Sequence, residues 1–153
     1  MVLLSVVGSF FAQTAFLAGT GYIRETTRRE MRRVGSIGLE RMVREIRTAA
    51  SPTGLDVLAM TASEFSFRDR YGDKVSYLYE SGSVKRNTIE LIESVNSFAF
   101  SYYERDATVC VNVNDLHSVG IEFSIARNEE EMPFRGTVFP QNFTSSAMWW
   151  SED

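Results

Sequence analysis

The sequence predicts an α+β protein in which a long N-terminal helix, apolar first and amphipathic later, packs on an antiparallel β-sheet. Three observations carry this. Met1 to Ile23 hold no charge; apolar residues then recur at three- and four-residue steps as far as Ala50; after Pro52 the apolar period falls to two. At 153 residues and 44% hydrophobic, the chain suits one domain with enough apolar mass for a core. The expected division is a helix over 1–50, uncharged over 1–23 and amphipathic over 24–50, and a β-rich body over 51–153.

The opening stretch is not a cleavable secretory signal. Met1 is followed directly by Val2-Leu3-Leu4, so the basic n-region is absent, and the apolar run continues through Phe10, Phe11, Phe16, Leu17, Tyr22 and Ile23. A bilayer-spanning helix needs about 20 mainly apolar residues, and this segment, with Val6 and Val7 in its first turns, is long enough. Ser5, Ser9, Gln13, Thr14 and Thr20 interrupt it, while Gly8, Ala12, Ala15 and Ala18 permit close helix–helix approach. A buried helix of a soluble domain is the plainer alternative. Six turns without a polar face argue against it, and a single transmembrane helix that also packs on protein is expected.

Five arginines (Arg24, Arg28, Arg29, Arg32, Arg33) against Glu25 and Glu30 make the next ten residues +3; with a net charge of −4, the remainder is −7. A basic collar therefore separates an apolar run from an acidic body. Arginines directly after a spanning segment point to a cytoplasmic body by the positive-inside rule, which needs both flanks. The overall acidity argues against a nucleic-acid binder, so no nucleic acid is expected as a partner.

The charged run continues the helix. Met31, Val34, Ile37 or Gly38, Met42, Val43, Ile46 and Ala49 or Ala50 form an apolar stripe, with Arg and Glu on the other faces and Pro52 and Gly54 as the stop. Bends are expected near Gly19-Thr20-Gly21 or near Gly35 and Gly38. Beyond Pro52, GLDVLAM, SEFSFRD, KVSYLYE and SVKRN read as short strands joined by turns at Tyr71-Gly72-Asp73 and Ser81-Gly82-Ser83. IELIESV reads as a short helix or an irregular segment. NSFAFSYYE, HSVGIEFSIARN and a last short PFRGTVFP complete an antiparallel meander with one covered face. The helix residues Leu39, Met42, Val43 and Ile46 are its expected cover. The paired tryptophans of SSAMWWSED are expected to cap the core or form a contact patch.

LERMVREIRTA, EFSFRDRYGDKVSYLYESGSVKRN, LIESVNSFAFSYYERD, LHSVGIEFSIARN and TVFPQNF, in this order and spacing, resemble the type IV pilin-like family, specifically the W-type minor pilins and the J-type pseudopilins of type II secretion. The resemblance runs from Met1 to about Phe143 and implies a pilin-like layout. Members begin with a short basic leader and a glycine, then a Phe-Thr-Leu-Ile-Glu-like start that a prepilin peptidase cuts and methylates. Here Met1-Val2-Leu3-Leu4 resembles the middle of that segment and the first acidic residue is Glu25, so the leader and mature start are expected to be missing.

The resemblance further implies a structural subunit, not an enzyme. It would help to initiate or assemble a type IV pilus or a type II secretion pseudopilus, with a body on the outer side of the bacterial inner membrane and a place at the filament tip. Its implied partners are other pilin-like subunits, met through the helix and the body, and the inner membrane. Val2, Leu3, Leu4, Val6, Val7, Phe10, Phe11, Phe16, Leu17 and Ile23 would form the membrane or filament-core helix. Arg24, Arg28, Arg29, Arg32 and Arg33 would form a collar on lipid headgroups or on acidic groups of neighbouring subunits. The alternative is a membrane-anchored extracytoplasmic binding module, adhesin-like or DNA-binding, outside any filament.

Little chemistry is visible. Cys110 and His117 are single residues of their kinds, read as a small buried hydrophobe and a loop histidine, and no catalytic residue is expected. Four nitrogen or sulfur ligands for zinc are not found. Asp69, Asp73, Asn112, Asn114 and Asp115 read as solvated turn residues, not as a calcium loop. Gly19 and Gly21 follow an apolar helix where a phosphate loop requires a strand. No metal, cofactor or small-molecule substrate is expected.

Overall fold

The computed structural model describes residues 2–143, with side chains described from Arg24 onward. Helix α1 runs Val2–Ile46, followed by strands β1 (Val57–Met60), β2 (Glu64–Arg68), β3 (Lys74–Glu80), β4 (Ser83–Arg86), β5 (Ile89–Ile92), β6 (Val95–Tyr103), β7 (Ser118–Arg127) and β8 (Glu130–Val138). The α+β expectation is corrected. Over residues 24–143 strands take 46%, in eight strands and two antiparallel sheets, beside one helix described side chain by side chain only over 24–46. The protein is mostly β. The first sheet is ordered β1-β2-β3-β4-β5 and the second β6-β7-β8, where one meander was expected.

The break between sheets has a local cause. IELIESV is neither helix nor irregular: its first half is the edge strand β5, paired with β4 through Lys85↔Glu90 and Arg86↔Ile89. Ser94 then takes a positive φ of 58°, which turns the chain so that β6 starts a new sheet. Two-residue turns close three hairpins, at Ser81-Gly82, Asn87-Thr88 and Asn128-Glu129, and all six residues have positive φ. The Asn128-Glu129 turn lets β8 begin at Glu130, so the last strand has nine residues and is not short. Pro133 sits on this edge strand, where a missing N–H blunts further pairing.

The core lies where the two sheets and the helix meet. Val119, Ile121, Phe123 and Ile125 of β7 are all buried, and β2 buries Phe65, Ser66 and Phe67 in succession. Phe65 lies 5.9 Å from Phe100 and 5.6 Å from Tyr102 between ring centroids, so aromatic packing joins the sheets. Two main-chain bonds reinforce the junction: Phe100 N–H donates to Ala62 and Ala126 N–H to Ser94.

The helix turns Met31, Gly35, Gly38, Met42 and Ile46 inward, at steps of four, three, four and four. Gly38 takes the inward position and leaves Ile37 57% exposed. The reason is proximity: a Cβ on Gly35 would stand 2.2 Å from Phe134 Cζ, and one on Gly38 2.4 Å from Ile92 Cδ1. The glycines let the helix backbone lie on β8 and β5. Gly35→Ala is therefore expected to destabilise, because overpacking costs about 1–3 kcal/mol against a gain in helix propensity of about 1 kcal/mol. In a Phe134→Ala background the same change is expected to stabilise. Denaturant midpoints of the four proteins test this, and stabilisation in both backgrounds defeats it.

The helix ends before Pro52. Thr48 and Ala49 N–H groups bond three residues back to Glu45 and Ile46, a tightened last turn, and Thr48 Oγ1 donates to the Glu45 carbonyl at 2.7 Å. Ala49 then bridges Asp69, and Ala50 N–H donates to Arg68. Pairing with the β2–β3 hairpin captures the chain before the proline is reached.

Candidate functional surface

The membrane or filament-core residues expected between Val2 and Ile23 lie outside the residues with described side chains, as does the Trp149-Trp150 tail. Among the residues with described side chains, 24–143, no helix is long and apolar enough to cross a membrane. The packing residues lie against the core, Met42 and Ile46 fully buried and Leu39 and Val43 partly so. Leu39 lies over Gly136 of β8, whose missing side chain makes room for it.

The collar arginines divide in two. Arg28 Nη2 meets Glu130, the first residue of β8, at 2.7 Å. Beside it, Arg127 joins Glu30 of the helix at 3.2 Å and Glu93 at 2.5 Å. These pairs tie the start of the described helix to the tip of the second sheet. Arg29 pairs with Glu25 one turn back, an exposed pair that contributes little to stability. Arg24, Arg32 and Arg33 are exposed, and among the described residues Arg32 and Arg33 make no ion pair. The outward face continues through Ile37, Glu40, Arg44 and Arg47.

A polar node holds the other end of the helix to the first sheet. Glu45 Oε2 accepts from Tyr77 Oη and from Arg86 Nε, each at 2.6 Å, while Oε1 accepts from Arg41 Nε at 3.0 Å. Burial by itself pushes the Glu45 carboxyl up, but the bonds from Tyr77, Arg86 and Arg41 outweigh it and hold the group below the usual range. Burial, together with the neighbouring carboxylate, pushes the Tyr77 hydroxyl far above the ordinary tyrosine range and keeps it a donor.

The second sheet turns its other face outward. There Ser101, Gly120 and Thr137 align across β6, β7 and β8, and Ala99, Glu122 and Arg135 form the next row. These small residues floor a trough of about 460 Å³, rimmed by Tyr103, Phe139 and the ion pair of Arg135 with Glu122. Phe139 is 55% exposed and meets the His117 ring edge-on at 5.6 Å.

Among the described residues, no group of three or more His, Cys, Asp or Glu is placed to hold a metal ion. Asp69 Oδ1 instead accepts from Tyr71 and Asp73 N–H, which closes the β2–β3 turn. Cys110 is buried, its Sγ 3.0 Å from the Asn112 carbonyl. Burial, with Glu104 and Asp115 nearby, pushes its thiol up, away from the nucleophilic form.

Sequence reasoning missed the Glu45 node, the Arg127 bridge and the trough. Only the trough had a local signal, the small outward residues of HSVGIEFSIARN. One helix and two antiparallel sheets make a mostly β protein with a charged outer helix face and an open trough. Comparison with known proteins finds no matching family model, no matching curated protein and no matching solved structure.

Proposed function

We propose that the chain is a minor pilin-like or pseudopilin-like structural subunit, which helps to initiate or assemble a type IV pilus or a type II secretion pseudopilus. One observation carries the reading: the described helix is fastened to the body along its inner face, while its outer face presents Arg32, Arg33, Ile37, Glu40 and Arg44 to the surroundings. An apolar sequence of twenty-three residues precedes this face. Such a helix is satisfied in lipid and in a bundle of like helices, because its backbone groups bond internally in both. Transfer between them then costs little, and the body selects the neighbours. Cofactors and catalysis have no part in this mechanism. The partners are other pilin-like subunits and the inner membrane, and the body lies on the periplasmic side.

A photo-crosslinking residue at Ile37, in the full chain in its own membranes, is expected to capture other pilin-like subunits. Reversal of Arg32 and Arg33 to Glu is expected to lower that capture without unfolding the body, since neither arginine holds the fold. Arg28→Glu is no substitute, because it also breaks the pair with Glu130. Absence of subunit adducts with ligand capture by the body supports the anchored binding module and defeats the filament reading.

A further inference from the structure

We propose that the outer face of the helix docks the β6–β7 loop of a second copy of this chain. The inference rests on the reading of that face as the subunit's contact surface, and it names the occupant. Arg33, Ile37, Glu40, Arg44 and Arg47 recur at steps of four, three, four and three, so they form one exposed stripe about 21 Å long. Ile37 is its apolar centre. Three arginines stand there against one glutamate, with Arg32 beside them, and among the described residues none of these charges is in an ion pair. Arg29 and Arg41, to either side, already have Glu25 and Glu45. On the strands packed against the helix, Glu122 and Glu130 have arginine partners, Glu131 accepts from Asn96 and Glu90 stands opposite Lys85, so the stripe keeps its positive excess.

The β6–β7 loop carries the complementary pattern. Cys110 and Leu116 are buried and anchor it, which leaves Val109 and Val111 outside, 72% and 86% exposed. Glu104 and Asp106 precede the two valines and Asp115 follows them, while Arg105 is the only Arg or Lys between 104 and 117: three carboxylates against one arginine. The loop is already shaped. Glu104 N–H donates to the Thr108 carbonyl and Cys110 N–H to that of Tyr102, and Asp106 Oδ1 accepts from the Thr108 N–H and hydroxyl. Docking therefore orders little new chain. An apolar centre between charges on each surface, opposite in sign, combines burial in the middle with steering at the rim. Each surface points away from the body that carries it, so the contact is between copies and leaves one of each surface free to repeat it head to tail.

The test uses the full chain in its own membranes, with a photo-crosslinking residue at Ile37 of one tagged copy and a second copy bearing another tag. An adduct that joins the two tags and maps to 104–115 of the second copy is expected. Arg33→Glu with Arg44→Glu is expected to lower it several-fold, and Glu104→Arg with Asp115→Arg in the other copy to restore it. Among the described residues none of these four side chains holds an ion pair, so the far-UV circular dichroism is expected to stay unchanged. Three results overturn the proposal: adducts to other subunits alone, which leave the filament reading standing, adducts on the second copy outside 104–115, or an adduct that ignores the reversal or is not restored by the swap. Adducts at 104–115 without any other subunit support the proposal and count against the filament reading, and no adduct at all defeats both.

Discussion

Phe65→Ala is expected to destabilise the body by about 3–5 kcal/mol, the range for truncating a fully buried aromatic ring. Phe65 has no exposed surface, and its ring lies against Phe67 at 5.3 Å, Phe100 at 5.9 Å and Tyr102 at 5.6 Å. Phe67 belongs to its own strand, while Phe100 and Tyr102 belong to the second sheet, so the missing ring opens a void between the two layers. Collapse of one sheet onto the other is opposed by Phe100 N–H on Ala62 and by the Tyr102 hydroxyl, 2.7 Å from the Thr61 carbonyl, which fix their separation. Phe65→Leu, which keeps most of the volume, is expected to cost less than half as much. Guanidinium unfolding followed by far-UV circular dichroism measures both. A loss below about 1.5 kcal/mol for Phe65→Ala, the range of volume-conserving swaps, means that the sheets do not depend on this contact.

The elements that a reader of the sequence can place are those whose signal is local. The alternation in HSVGIEFSIARN marks Val119, Ile121, Phe123 and Ile125 as one face, and all four are buried. The three- and four-residue stripe marks Met42 and Ile46, likewise buried. Periodicity names a face but not the strand beside it, which is why one expected sheet is two. IELI escapes the strand pattern because an edge strand buries little: Ile92 is inside while Ile89 is 72% exposed. Between Ile37 and Gly38 the choice depends on Ile92, more than fifty residues away, and hydropathy alone favours the wrong one. The polar contacts are less legible still. Glu45 and Arg86 are 41 residues apart and Arg28 and Glu130 are 102, and nothing in the local sequence distinguishes them from solvated charges.

Replacement of Glu45 by alanine is expected to cost about 2–3 kcal/mol at neutral pH, because it leaves a buried donor unsatisfied and removes charge-assisted bonds. Tyr77 is fully buried, with its hydroxyl on Glu45 Oε2 at 2.6 Å, whereas Arg41 and Arg86 are partly exposed and recover water. The estimate therefore rests mainly on the tyrosine, and Tyr77→Phe alone, which removes the donor itself, is expected to cost only about 1 kcal/mol. The pH dependence follows from the direction of the shift. Glu45's carboxyl sits lower in the fold than in the unfolded chain, so its contribution is complete above the ordinary glutamate value of about 4.3 and disappears as pH falls through the lowered native value. Tyr77 acts in the opposite sense: its hydroxyl is pushed up on folding, so its contribution is complete below the ordinary tyrosine value of about 10 and declines as pH rises beyond it. Glu45→Gln keeps the shape and removes the charge, and is expected to flatten the acid limb while leaving the alkaline limb in place. Urea unfolding of the wild type and Glu45→Gln between neutral pH and pH 3 tests the assignment. Parallel losses in the two proteins move the acid sensitivity to other carboxylates and leave Glu45 as a packing residue.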